Sequence, residues 1–175
     1  MAIRLLPPEV SSKIAAGEII ERPSSVVKEL VENCLDAGAT EITVEIKAGG
    51  AERVRVADNG AGMASDDVEL AFQRFATSKV SDVQDLEGIS TLGFRGEALP
   101  SIAAVSTVSL VTRSRDEEFG TRLDVAEGRV LAKEPQGASP GTSLTVSRLF
   151  SNFPARRKFL RSTATETSRV QTLVT

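Results

Sequence analysis

Glu29, Asn33 and Asp36 are spaced i, i+4 and i+7, so on a helix their side chains line a single stripe. A carboxylate and an amide on adjacent turns can serve a water molecule and a metal ion at once. Taken alone, E-x-x-x-N is most often no more than a solvated helix face. Two further groups could do chemistry. Asp58-Asn59-Gly60-Ala61-Gly62 puts a fixed carboxylate at a strand end before two glycines that let a ligand approach the backbone, although D-N-G is also a common plain turn. Gly93-Phe94-Arg95-Gly96-Glu97-Ala98-Leu99 puts two glycines at the mouth of a helix, where bare N–H groups at the positive end of the dipole form a cradle for phosphate. Its spacing is neither the P-loop nor the dinucleotide fingerprint.

These groups need elements to hold them. Residues 23 to 37 predict a helix, with Pro23 at a first helical position and Gly38 after its end. At 100° per residue Val26, Val27, Leu30, Val31, Cys34 and Leu35 fall on one broad arc that faces a core, opposite the Glu29 stripe. Before it, Pro8 to Ala16 predicts a short helix ended by Gly17, preceded by an arm containing Ile3, Leu5 and Leu6. Thr40 to Lys47 and Arg53 to Ala57 alternate around Gly49-Gly50 as a β-hairpin with one buried face.

Ser65 is placed as an N-cap for a short amphipathic helix through Val68, Ala71, Phe72 and Phe75. Residues 80 to 92 have no sustained period and suit a functional loop such as a lid, and the helix opened by Gly96 reaches about Ala104. Val105 to Thr112, Gly120 to Val125, Arg129 to Lys133 and Thr142 to Leu149 predict strands. A basic helix follows with Arg156, Arg157, Lys158 and Arg161, and another begins beyond Thr165. Helix-then-hairpin order argues for an α+β domain with a mixed, mostly antiparallel sheet and helices on one face.

Composition narrows the chemistry. The 175 residues are 41% hydrophobic and 26% charged, which suits one soluble globular domain. A net charge of −3 gives no overall mark of nucleic-acid binding, so such a role would rest on the local cluster at Arg156 to Arg161; a solvated face is the commoner reading of four such cations. Seven Phe with no Tyr or Trp argue against base-stacking platforms. The absence of histidine excludes a Ser-His-Asp triad, a histidine-based zinc site and a phospho-acceptor histidine. Cys34, the single cysteine, reads as a small core residue in a reducing compartment. The first residues are too short an apolar run for a signal peptide and no later run suits a membrane span, so the expected location is the cytoplasm.

E-L-V-E-N-x-x-D-A-G-A at 29 to 39, D-N-G-x-G-M at 58 to 63, A-T-S-K at 76 to 79 and G-F-R-G-E-A-L at 93 to 99 together resemble the successive motifs of the GHKL ATPases. Within that superfamily, I-A-A-G-E-I-I-E-R-P-S-S-V-V-K-E-L-V-E-N at 14 to 33 and P-A-R-R-K-F-L at 154 to 160 resemble the MutL mismatch-repair proteins. The resemblance implies an ATP site on a sheet layered with helices. Glu29 would be the general base toward the water attacking the γ-phosphate, and Asn33 would ligate Mg²⁺. Asp58 would accept from the adenine amino group, with Thr77 assisting through water and Gly60 and Gly62 keeping the purine pocket open. The stretch Gly93, Phe94, Arg95, Gly96, Glu97, Ala98 and Leu99 would wrap the phosphates, with Ser78, Lys79 and Thr142 as further nucleotide contacts. Arg95 could instead hold the lid through an ion pair, and Lys79 could equally be solvated.

The same likeness implies DNA, a MutS-type mismatch-recognition protein, a repair endonuclease and a helicase as partners, and an ATP-dependent homodimer of the full-length protein. It also implies a second domain carrying a lysine for the γ-phosphate and a C-terminal dimerisation domain, so residues 1–175 are expected to be a single domain cut from a larger protein, weak or inactive as an ATPase alone. Three positions depart from the family pattern: Phe75 stands where a His usually precedes A-T-S-K, Phe153 replaces a Thr, and Pro100 follows G-E-A-L. They bear on the lid and the basic loop. A GHKL kinase or type II topoisomerase subunit, and a nucleotide-gated binding module with incidental hydrolysis, are the rival readings. The missing histidine speaks against the kinase, and the I-A-A-G-E and P-A-R-R-K-F-L stretches do not suit the topoisomerase.

Overall fold

The structure is a computed structural model and describes residues 2–74, 76 and 96–175. Its frame is one sheet made of β1 (Ile42–Lys47), β2 (Arg53–Asp58), β3 (Thr107–Arg113), β4 (Gly120–Ala126), β5 (Arg129–Gln136) and β6 (Gly141–Ser147), in the order β1-β2-β6-β3-β4-β5. Every pairing among the described residues is antiparallel, in keeping with the expectation of a mostly antiparallel sheet layered with helices. Hairpins join β1 to β2, β3 to β4 and β4 to β5, whereas β2 and β3, both antiparallel to β6, run the same way and are joined across it by the long segment between them.

Strand alternation sorts the sheet into two faces. On one face the register stacks Val54, Val146, Val108 and Val125 in one row and Val56, Leu144, Leu110 and Leu123 in the next, and all eight side chains are buried. Two strand positions further along, the same face carries Asp58, Thr142, Thr112 and Thr121. The apolar face therefore gives way to a polar row at one end.

Helix α2 (Pro23–Asp36) covers this face, burying Val26, Val27, Leu30 and Cys34. Its bounds follow from its ends: Pro23 sits at the first position, and the Ser25 hydroxyl accepts from the Glu21 and Arg22 N–H groups. Leu35, expected on the apolar arc, is half exposed, because it lies at the arc's far edge rather than its centre. Helix α3 (Ala98–Ala104) packs against β3 and β4 and buries Ile102, Ala103 and Ala104. Pro100 falls inside its first turn, where a missing N–H leaves no helical bond unmade, and the first such bond runs from the Ser101 N–H to the Glu97 carbonyl at 2.9 Å.

Three local expectations change. Helix α1 runs from Pro8 to Ile19, straight through Gly17. Gly17 is needed there for packing: the Phe153 ring comes within 3.0 Å of the place a Cβ would take, and Arg156 Nη2 donates to the Gly17 carbonyl at 2.9 Å. The segment after Gly62 forms 3-10 turns at Ser65–Asp67 and Leu70–Phe72 in place of an α-helix. Ser65 does not cap it; its N–H is held by the Glu117 carboxylate at 3.1 and 3.2 Å. Helix α4 (Pro154–Lys158) begins at Pro154, and α5 (Thr163–Val174) starts just before Thr165, capped by the Ser162 hydroxyl accepting from the Thr165 N–H. No helix of the described residues is long and apolar enough to cross a membrane.

Candidate functional site

The cleft-facing flank of α2 and the polar end of the sheet bound one open cleft of about 1440 Å³. Glu29, Asn33 and Asp36 all line it, and Asp58, Gly62 and Thr142 line its sheet side. The stripe read from i, i+4, i+7 spacing therefore faces a cavity rather than bulk solvent. Gly96, Glu97, Ala98 and Leu99 line the same cleft from the start of α3. Thus four elements far apart in sequence converge on one volume.

The turn after β2 is fixed by its own side chains. Asp58 Oδ1 accepts from the Gly60 N–H at 2.7 Å, Asn59 Oδ1 accepts from the Thr40 and Glu41 N–H groups at 2.9 and 3.0 Å, and the Ala61 N–H donates to the Ala37 carbonyl at 3.0 Å. The last bond ties the turn to the end of α2. Gly62 has φ +67°, and a Cβ on it would run into the Arg113 carbonyl; only glycine meets both demands. Gly60 is buried in the turn, beside the Ala37 carbonyl and Asp58.

Cys34 has a role that its reading as a core residue missed. Burial pushes the thiol up from 9.0 to about 12, helped by its hydrogen bond to Asp58 and by the charge of that carboxylate. A neutral S–H beneath Asp58 leaves the carboxylate as the charged acceptor of the pair. Thr112 was missed as well. It is 1% exposed, and its Oγ1 lies 2.9 Å from the Met63 nitrogen, 2.8 Å from Thr142 Oγ1 and 3.1 Å from the Gly141 oxygen. The available signal was its strand phase: Val108, Leu110 and Thr112 share the inward face, and a hydroxyl in that phase needs partners.

Phe75, Thr77, Ser78, Lys79, Gly93, Phe94 and Arg95, with the expected lid at 80 to 92, lie outside the described residues. Of the basic cluster, Arg156 is spent on the Gly17 carbonyl, while Arg157, Lys158 and Arg161 are exposed. Phe153 packs against the core.

A six-stranded antiparallel sheet, layered with helices on the face where an acid–amide stripe meets an aspartate–glycine turn, defines the nucleotide-binding ATPase class of fold. Residues 20–140 match the family described as histidine kinase-, DNA gyrase B-, and HSP90-like ATPase, and the chain belongs to that family. It is similar to the DNA mismatch repair protein MutL of Solibacter usitatus, 58% identical over 173 residues, which cover 99% of this chain and 26% of that protein. The protein of the same name from Acidobacterium capsulatum is 56% identical over the same share of each. The chain thus spans about a quarter of the length of these curated relatives. Among solved structures, the Aquifex aeolicus MutL ATPase domain complexed with ADP is 38% identical with a TM-score of 0.72, covering 89% of this chain and 54% of that one. The N-terminal domain of a DNA repair protein is 30% identical with a TM-score of 0.77, covering 93% and 46%.

Proposed function

We propose that this chain is the ATP-binding and hydrolysing module of a MutL-like mismatch-repair protein. The observation that carries the reading is that Glu29 and Asn33, one turn apart on α2, open onto the same cleft as Asp58 and its glycine turn. The likeness to a MutL ATPase domain complexed with ADP supports a nucleotide as the occupant.

In this reading the purine lies at the sheet end, where the Asp58 carboxylate accepts from its amino group and Gly60 and Gly62 leave it room. Thr142 stands beside Asp58 in the adjacent strand, and Thr77 would assist through water. The phosphates run toward α3, where Gly96 to Leu99 meet them, with Gly93, Phe94, Arg95, Ser78 and Lys79 assigned by family likeness. Glu29 draws a proton from the water that attacks the γ-phosphate. Positioning that water and excluding others is most of what a phosphoryl-transfer site must do.

Asn33 offers a hard amide oxygen at the cleft wall, one turn from two carboxylates, and a donor set of that kind suits Mg²⁺, which takes few protein ligands beside phosphate and water oxygens. When bound, the metal supplies charge neutralisation on the phosphates. Asn33 would hold it.

At the level of the whole protein, the reading is an ATP-gated clamp that links mismatch recognition to later repair steps. Its partners would be a MutS-type protein, a repair endonuclease, a helicase, DNA and a second copy. Exposed Arg157, Lys158 and Arg161 are the groups available for DNA phosphates. This chain alone is expected to bind ATP weakly and turn it over slowly. Glu29→Ala tests the assignment by isothermal titration and phosphate release: binding should persist while hydrolysis falls at least a hundredfold. Hydrolysis at the wild-type rate would remove Glu29 from its role.

A further inference from the structure

Thr112, Thr142 and Asp58 lie side by side on three adjacent strands, all on the face that meets the cleft. Thr142 lines the cleft, and Thr112 sits behind it, buried. A hydroxyl has one proton and two lone pairs, and Thr112 Oγ1 has three polar neighbours. The Met63 N–H at 2.9 Å can only donate, and the Gly141 carbonyl at 3.1 Å can only accept. With the Thr112 proton committed to Gly141 and one lone pair to Met63, the remaining lone pair is left for Thr142 Oγ1 at 2.8 Å. That arrangement satisfies all three contacts only if Thr142 is the donor to Thr112. Burial raises the cost of any alternative, since it would leave a buried polar group unpaired.

We propose that Thr112 fixes the direction of the Thr142 hydroxyl, so that Thr142 presents only lone pairs to the cleft and the purine end becomes acceptor-only. The neighbouring Asp58 carboxylate is an acceptor as well. Two acceptors side by side welcome the N–H groups of a 6-aminopurine and repel the oxygen of a 6-oxopurine. Thr112 thus acts as a positioning residue for base selection, without touching the nucleotide. Gly141 belongs to the same device: it has φ +122°, and a Cβ there would run into the Asp58 carbonyl, so its carbonyl can stand beside Thr112 only in a glycine backbone.

The inference rests on the nucleotide reading above, and its test separates the two. Affinities for ATP and inosine triphosphate, each with Mg²⁺, are measured by titration on the wild-type chain and on variants of matched folding by circular dichroism. Thr112→Val keeps the side-chain shape but frees the Thr142 proton to turn toward an oxopurine; the preference for ATP over inosine triphosphate should fall at least fivefold. Thr112→Ser, which restores the hydroxyl, should keep the wild-type ratio. Thr142→Val removes the acceptor itself and should lower the ratio similarly, with Thr112→Val adding nothing further in that background. An unchanged ratio in folded Thr112→Val, or in Thr142→Val should the former not fold, overturns the inference while leaving the nucleotide reading in place. A wild-type chain that takes up neither triphosphate overturns the nucleotide reading, and this inference with it.

Discussion

Replacing Glu166 should loosen the helix that carries Glu29 and Asn33, although Glu166 lines no part of the cleft. Its side chain is 2% exposed. Oε1 accepts from the Arg161 N–H at 2.9 Å and from Arg22 Nη1 at 3.4 Å, and Arg22 is the residue at the N-cap of α2. Oε2 has no protein partner among the described residues. Glu166→Ala removes the acceptor of a charge-assisted bond to a main-chain N–H, worth about 2 kcal/mol. It also removes one buried methylene, worth about 0.8 kcal/mol. The Arg22 contact is long and the guanidinium is 24% exposed, so its loss adds at most ~0.5–1 kcal/mol.

Against these stands the relief of a carboxylate held out of water with one oxygen unpaired, ~1–2 kcal/mol after relaxation. The balance is a loss of about 2 kcal/mol, or roughly 4–8 °C in melting temperature for a chain of this size. Glu166→Gln keeps the volume and an oxygen for the Arg161 N–H, and should cost only about 1 kcal/mol. Thermal and urea unfolding of the three chains check the order wild type, Gln, Ala. A Glu166→Ala chain melting within a degree of wild type would refute the reasoning, because it would mean that the pair carries nothing between α5 and α2.

Gly62→Ala combines a left-handed backbone with a collision against the Arg113 carbonyl. It should cost at least ~2 kcal/mol and weaken ATP uptake by displacing the turn, and a wild-type affinity with an unchanged melt would contradict it. Cys34 keeps its proton to about 12 when folded against 9.0 when free, so its contribution to stability is full below pH 9 and is lost as pH rises toward 12. Wild type should therefore lose more stability than Cys34→Ser between pH 9 and 12, and iodoacetamide at pH 8 should label the native thiol far more slowly than the unfolded one; parallel pH profiles and equal labelling rates would exclude the buried, Asp58-paired thiol.

Much of the fold was legible because its signals are local. Pro23 and Gly38 bracket α2, the alternation of Ile42, Val44 and Ile46 marks β1, and Gly49-Gly50 marks the hairpin turn. What misled is equally physical. Gly17 carries the composition of a helix stop, yet its smallness serves a contact with Phe153, 136 residues away in sequence. Ser65 has the composition of an N-cap, but its N–H is taken by Glu117 from a strand-flanking turn. Neither partner can be inferred from neighbours along the chain. That Glu29, Asn33 and Asp36 share one cleft wall follows from their spacing, since a helix converts i, i+4 into adjacency. Thr112 and Glu166 were missed because their meaning lies in what other strands and helices bring to them.

That contrast bears on how the site is built. Groups facing the cleft sit on two kinds of support: the α2 stripe, whose register is set by a helix capped at Arg22 and Ser25, and the row of Asp58 and Thr142 backed by buried Thr112, whose register is set by strand pairing. A helix can shift along its axis by small side-chain repacking, whereas a strand register moves only in whole steps that would turn inward faces outward. The Asp58 end is therefore the rigid reference of the cleft, and the Glu29 end is the adjustable one. Glu166 bears on that adjustable side, joining α5 to the start of α2 without touching the strand row. Substitutions there should accordingly change turnover more than they change base preference, while substitutions in the threonine row should do the reverse.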